Sequence, residues 1–190
     1  MNNHYKLKEG LGTQEILNSI EEEDWNFKTN RQKRILSQKD TNFIPIRSLI
    51  TRHLSTEEQA QNKLWPSSEY DEGTYETKFW DKYPPIQVFF KWFKGKFGGD
   101  IHRVNLVRMS PGGSVKEHID GGRYYKDKDR FHFVIQGEYK YTVNKESIVY
   151  KQGDLWWFNN KKPHESSNIS NQNRIVLIFD VKKCIGYKFR

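Results

Sequence analysis

Two residues with metal-ligating side chains stand one apart in the sequence His118-Ile119-Asp120. Residues i and i+2 of a β-strand project to the same face, so the imidazole and the carboxylate can converge on one point. Alone this pair is a weak signal, because a strand end with two exposed polar side chains gives the same pattern. A third candidate ligand, His164, lies much further along the chain. Together the three residues predict an open metal site.

The ligand types narrow the chemistry of that site. Two histidines and one carboxylate on one face of a metal leave its other positions free, an arrangement diagnostic of non-haem Fe(II) oxygenases. Zinc accepts the same three side chains, so ligand identity alone does not choose the metal.

Arg174 opens the last predicted strand, ten residues after His164. A guanidinium pointing into a barrel needs an anionic partner, because an unpaired buried charge is costly. A small dicarboxylate beside the metal would supply one, since arginine donates two parallel hydrogen bonds to a carboxylate. A structural Asp or Glu is the alternative partner. In combination with the three ligands, the pattern favours a bound cosubstrate.

The elements that position these residues are predicted from the hydrophobic period. Five apolar residues at helical spacing, Pro84-Pro85 before them and Gly98-Gly99 after them indicate a helix that packs on the outside of a sheet. From residue 100 the period changes to two, and seven or eight short strands with Gly and Asn turns indicate a sandwich or barrel. One strand, Arg130–Gln136, places Arg130 and His132 on the face opposite its phenylalanines. The predicted fold class is α+β.

The N-terminal hundred residues are predicted to be mixed. Thr13 is expected to cap a short helix. Phe43–Ile50 is predicted as an edge strand, because Pro45 cannot donate to a ladder. His4 and His53 are expected at the surface.

At this point the sequence resembles the aspartyl/asparaginyl β-hydroxylase family of Fe(II)/2-oxoglutarate-dependent oxygenases. The resemblance covers about residues 100–182 and is carried by an ordered set of motifs: Arg103 to Asp120 (RVNLVRMSPGGSVKEHID), Arg130-Phe131-His132, Gly153 to His164 (GDLWWFNNKKPH) and Arg174 to Val181 (RIVLIFDV).

The resemblance implies a fold and a set of roles. The fold would be a double-stranded β-helix, a cupin-like jelly roll, with flanking N-terminal helices. His118 and His164 would bind iron, and Asp120 would complete the triad. Arg174 would bind the far carboxylate of 2-oxoglutarate, and Arg130 and His132 would also face this cosubstrate. With O2, the enzyme would hydroxylate an unactivated C–H bond and release succinate and CO2.

Three residues are candidates for the substrate side. Arg123 and Tyr124 follow the His118-x-Asp120 motif, where a substrate lid would sit, although an exposed loop without a role is an equal alternative. Trp156 could line a substrate pocket. The alternative for the adjacent pair Trp156-Trp157 is that one ring fills the core and the other covers the surface.

Composition excludes several classes of protein. The 190 residues suit one domain, which we expect to comprise a mixed helical and irregular N-terminal region, residues 1–100, and a β-rich catalytic core, residues 101–182. No apolar run is long enough to cross a membrane, and the single cysteine forms no internal disulfide, so a cytoplasmic location is expected. No sequence feature specifies an oligomeric state.

The expected substrate is an amino-acid side chain in a peptide or protein, or a free amino acid, with an acyl chain left open. The net charge of +8 invites a nucleic-acid substrate instead, but it is spread along the chain. The nucleic-acid demethylases of the superfamily also carry a second arginine where this chain has Asp180. A non-catalytic cupin-like binding module is the other alternative, and an intact triad disfavours it.

Overall fold

A computed structural model describes residues 3–26, 40–49, 74–121 and 123–183. The α-helices in these ranges are α1 (Gln14–Ser19), α2 (Lys78–Lys82) and α3 (Pro84–Phe97). The strands are β1 (His4–Lys8), β2 (Thr41–Leu49), β3 (Thr74–Glu76), β4 (Asp100–Met109), β5 (Ser114–His118), β6 (Lys128–Gln136), β7 (Glu138–Val143), β8 (Glu146–Lys151), β9 (Leu155–Phe158), β10 (His164–Asn168) and β11 (Arg174–Lys182). Short 3-10 helices span Glu22–Asn26 and Arg123–Tyr125. None of the described helices is long and apolar enough to span a membrane.

The strands form two antiparallel sheets. The larger sheet has seven strands in the order β1-β9-β6-β11-β4-β2-β3, and the smaller has four in the order β5-β10-β7-β8. Consecutive strands repeatedly fall in opposite sheets, which is the connectivity of a jelly roll. The fold is therefore a cupin-like α+β jelly roll with flanking helices, as predicted.

Alternating side chains of the larger sheet pack into two hydrophobic cores, one on each face of the sheet. On β11, Leu177 and Phe179 join the core beneath α3, whereas Val176 joins the core between the sheets. On β6, Phe133 likewise faces α3 and Val134 faces the smaller sheet. This alternation follows from the two-residue period of a strand and confirms the predicted faces of β6.

Helix α3 covers the outer face of the larger sheet. The ring of Phe89 stacks on Phe133 with centroids 4.6 Å apart, and Phe93 meets Phe179 edge-on at 5.0 Å. Gly98 ends the helix with a positive φ of 67°, a conformation that glycine adopts without a Cβ clash. The predicted bounds, apolar face and packing of this helix are confirmed.

The edges of the larger sheet show where patterning was incomplete. Strand β1 pairs with β9 at one edge and was not predicted. Its His4 is buried, with Nδ1 2.7 Å from the Tyr150 hydroxyl, so the expectation of a surface histidine was wrong. His53 lies outside the described residues. At the other edge, β3 pairs only with residues 47–49 of β2, which leaves Pro45 beyond that pairing.

Two local expectations need correction. Helix α1 begins directly after Thr13, but the Thr13 side chain makes no capping hydrogen bond and accepts one from Gln152 Nε2 at 3.0 Å. Trp156 and Trp157 are both buried, because Trp156 packs in the core between the sheets and Trp157 packs in the core beneath α3. Neither ring covers the surface.

Candidate metal centre

His118, Asp120 and His164 form a cluster in which one ligand atom from each residue lies within 4.8 Å of the others. The imidazole centroids of His118 and His164 are 4.4 Å apart. His164 Nε2 lies 3.8 Å from Asp120 Oδ2. These three residues have the donor types expected of an open, three-ligand metal site.

Sheet pairing brings the two histidines together. His118 ends β5 and His164 begins β10, and the two residues are direct partners in the antiparallel register. Asp120 lies beyond the end of β5, so strand alternation does not aim its carboxylate. The sequence argument that placed His118 and Asp120 on one strand face was therefore incomplete for Asp120.

Backbone carbonyls orient both imidazoles. His118 Nδ1 lies 2.8 Å from the carbonyl oxygen of Lys116, and His164 Nδ1 lies 2.9 Å from that of Lys162. A carbonyl only accepts hydrogen bonds, so each Nδ1 donates to it, and Nε2 is the ring nitrogen left to face the cluster. Such an outer contact orients metal-ligating histidines in known sites.

The electrostatics of His164 favour a neutral ring. Burial, opposed in part by the charge of Asp120, lowers the pKa of His164 to about 4. At neutral pH the ring is therefore unprotonated at Nε2 and able to bind a cation.

A cavity of about 90 Å³ opens beside this cluster, between the two sheets. His118 and His164 form part of its wall. Further cationic or imidazole side chains line it, namely Arg103, Arg130, His132 and Arg174. Tyr141, Phe43, Val107, Val115 and Ile178 contribute apolar surface.

Arg174 is the most deeply buried arginine at the cavity, with 2% of its surface exposed. Among the described residues no carboxylate pairs with it, and its Nε has no hydrogen-bond partner. Its guanidinium lies 4.5 Å from the ring centroid of Tyr139. A buried cation with an unsatisfied N–H indicates a binding position for an anion.

His132 lies on the same wall. Its Nδ1 is 2.7 Å from the hydroxyl of Tyr139, and the residue is 3% exposed. Burial and the neighbouring charge of Arg174 lower the pKa of His132 well below its ordinary value, so the ring is neutral.

Arg130 lines the cavity but is already bound to two carboxylates. Its Nη1 donates to Asp120 Oδ2 at 2.6 Å, and its Nε donates to Asp180 Oδ1 at 2.7 Å. A guanidinium has five N–H groups, so Arg130 keeps donors for a further acceptor in the cavity.

Of the predicted substrate-side residues, neither Tyr124 nor Trp156 lines the cavity. Tyr124 is buried away from it, and its hydroxyl donates to Asp180 at 3.0 Å. Trp156 stacks on Tyr150 at 4.4 Å and donates from Nε1 to Asp154 at 3.1 Å. The side chain of Arg123 lies outside the described region of the structure.

Sequence reasoning missed two residues that organise the site. Tyr139 touches both His132 and Arg174, and Asp180 holds Arg130. The alternation of β11 was a usable signal for Asp180, because it places residue 180 on the same face as Arg174.

Solved structures with likeness to this chain share only a portion of it. A predicted oxalate decarboxylase of Thermotoga maritima is 17% identical, with a TM-score of 0.37 over 48% of this chain and 72% of that chain. The cupin domain of Schizosaccharomyces pombe Cnp3 is 15% identical, with a TM-score of 0.38 over 43% and 56%. A Cupin_2 domain of an XRE-family transcriptional regulator from Enterobacter cloacae is 18% identical, with a TM-score of 0.37 over 42% and 79%.

Among curated proteins, no sequence matches this chain. The family comparison is informative, because the model of the aspartyl/asparaginyl beta-hydroxylases matches residues 50–184. That range includes the three clustered candidate ligands, Arg130, His132 and Arg174. The chain belongs to the aspartyl/asparaginyl beta-hydroxylase family.

Proposed function

We propose that this protein is an Fe(II)/2-oxoglutarate-dependent dioxygenase that hydroxylates an unactivated C–H bond. The observation that carries the proposal is the juxtaposition, at one cavity, of the His118–Asp120–His164 cluster with the buried guanidinium of Arg174. The three-residue cluster could hold a metal, and the Arg174 guanidinium could bind an anionic cosubstrate. Family membership supports the same reaction class.

The three ligands suit Fe(II). His118 and His164 would coordinate through Nε2, because each Nδ1 is bound to a carbonyl oxygen. Asp120 would supply a carboxylate oxygen, and only 6% of its side chain is exposed. Two imidazoles and one carboxylate leave positions for the cosubstrate and O2.

The cavity wall suits 2-oxoglutarate. Arg174 would bind the far carboxylate, where its buried positive charge and orphaned Nε gain a partner. His132 and the remaining donors of Arg130 would face the end of the cosubstrate near the metal. Iron with 2-oxoglutarate and O2 supplies the oxidising power, with release of succinate and CO2.

The residues around the cavity would orient the bound groups and exclude water. Arg174, which packs on Tyr139, orients the cosubstrate, and Arg130 orients Asp120. The apolar wall of Phe43, Val107 and Ile178 keeps water out. The preferred substrate is an amino-acid side chain in a peptide or protein, or a free amino acid, as in the family's name.

The test is succinate release after O2 is admitted to protein holding Fe(II) and 2-oxoglutarate, with candidate peptides and amino acids supplied. We expect metal-dependent succinate formation that His164→Ala abolishes. A control, Arg108→Gln, changes an arginine paired with exposed Glu22 outside the cavity and should leave turnover unchanged. No turnover together with no Fe(II) binding would instead support a non-catalytic cupin-like module.

A further inference from the structure

The Arg130 guanidinium lies between two buried carboxylates. Its Nε and Nη2 donate to the two oxygens of Asp180 at 2.7 and 3.0 Å, which is a parallel, two-bond arrangement. Its Nη1 donates to Asp120 Oδ2 at 2.6 Å. The paired hydrogen bonds of Nε and Nη2 fix the plane of the guanidinium. The position of Asp180 therefore sets the direction of Nη1.

Asp180 is itself held in place. It is 1% exposed, it accepts a hydrogen bond from the Tyr124 hydroxyl, and Arg103 Nε lies 3.4 Å from its Oδ2. Burial alone would raise the pKa of Asp180, but Arg130 and Arg103 outweigh burial and lower the pKa. Two aspartates and two arginines balance in charge in this group, so removing one member leaves a buried charge without its partner.

Asp120 depends on this group more than the other ligands do. His118 and His164 lie in paired strands and are oriented by adjacent backbone carbonyls. Asp120 follows the end of β5, and the hydrogen bond that orients its carboxylate comes from Arg130.

We propose that Asp180 is a positioning residue of the metal centre, acting through Arg130 to hold the Asp120 carboxylate in its ligating orientation. This inference rests on the proposed metal site and extends it beyond the three ligands. It predicts that Asp180 affects metal affinity only while Asp120 is present.

A double-mutant cycle measures this dependence. Anaerobic Co(II) titrations, followed by calorimetry and by the Co(II) visible absorption spectrum, are compared for wild type, Asp180→Asn, Asp120→Ala and the double variant. We expect Asp180→Asn to weaken Co(II) binding about 10–100-fold, as loss of outer contacts does in other metal sites. In the Asp120→Ala background, the same change should have no further effect on the affinity or the spectrum.

Asp129→Asn is the matched control. Asp129 precedes Arg130 on β6, but its Oδ1 accepts a hydrogen bond from Trp157 Nε1 instead. This variant should bind Co(II) as the wild type does. If Asp180→Asn fails to fold by circular dichroism, Arg130→Lys replaces it, because lysine keeps the charge but cannot bridge both carboxylates.

The inference is overturned if Asp180→Asn folds and binds Co(II) like the wild type, or if its effect persists undiminished without Asp120. A wild-type protein that binds no Co(II) would refute the metal site, and with it the proposed function. The two failures are therefore distinguishable.

Discussion

The Arg174 guanidinium lies 4.5 Å from the ring centroid of Tyr139, whose hydroxyl is 2.7 Å from His132 Nδ1. One buried tyrosine therefore contacts both residues proposed to bind the two ends of 2-oxoglutarate. Two substitutions of Tyr139 test its two contacts one at a time. Tyr139→Phe keeps the ring beneath Arg174, so we expect a small change in cosubstrate affinity. Tyr139→Leu removes the ring, and the loss of a desolvated cation–π contact of about 2 kcal/mol should weaken binding roughly 30-fold.

Calorimetric titration of the Mn(II)-loaded protein with 2-oxoglutarate measures both affinities without turnover. The finding that Tyr139→Leu binds as tightly as Tyr139→Phe would show that the ring does not support Arg174.

Arg174 should be the principal determinant of cosubstrate affinity. Arg174→Lys keeps a positive charge but loses the paired hydrogen bonds, so we expect 2-oxoglutarate binding to weaken by about 2–5 kcal/mol, which is about 30-fold or more. The apparent KM for 2-oxoglutarate should rise while Co(II) affinity stays unchanged, because Arg174 does not contact the three ligands. A normal KM in this variant would place the cosubstrate elsewhere.

The packing of α3 on the larger sheet should contribute strongly to the free energy of unfolding. Phe93 is fully buried and contacts Phe131 and Phe179. We expect Phe93→Ala to lower the free energy of unfolding by about 3–5 kcal/mol in urea titration. Val88, 65% exposed on the same helix, is the control, and Val88→Ala should change it by less than about 0.5 kcal/mol. Equal effects of the two changes would contradict this packing.

Asp24 should contribute stability that depends on pH. Its carboxylate accepts hydrogen bonds from Lys82 Nζ at 2.6 Å and from the Tyr83 hydroxyl. Burial alone would raise the pKa of Asp24, but these hydrogen bonds outweigh burial and lower the pKa below its ordinary value of 3.8. The folded state thus binds the proton less tightly than the unfolded state, so the contribution is complete above about pH 4 and is lost as the pH falls below that value.

Asp24→Asn should therefore be less stable than the wild type by about 1–3 kcal/mol at pH 7, and the difference should shrink below pH 4. Thermal or urea unfolding across this pH range measures it. A difference that stays constant down to pH 2 would assign the effect to packing rather than to the charge.

Sequence patterning was most successful where one period dominates. Five apolar residues at helical spacing predicted the packed face of α3, and Pro84-Pro85 and Gly98-Gly99 predicted its bounds. Period-two alternation assigned Phe133 and His132 to opposite faces of β6. Gly and Asn turns were also expected, and the β7–β8 hairpin turns at Asn144-Lys145, where both residues have the positive φ that a tight turn requires.

Patterning was less successful where contacts between distant segments decide the outcome. His4 looked polar and exposed, yet β1 pairs with β9 and buries it. The adjacent pair Trp156-Trp157 suggested one core ring and one surface ring, yet the two cores on either side of the larger sheet bury both. For Asp120, spacing predicted proximity to His118, but its orientation depends on a hydrogen bond from Arg130 that no local pattern specifies.

The most direct test of the proposed function is a crystal structure of the protein with Mn(II) and 2-oxoglutarate, a combination that does not turn over. The account predicts one metal ion about 2.0–2.3 Å from Nε2 of His118, Nε2 of His164 and a carboxylate oxygen of Asp120. It also predicts that 2-oxoglutarate meets this metal at one end and pairs with Arg174 at the other. A metal bound by other residues, or a cosubstrate that leaves Arg174 unpaired, would contradict it.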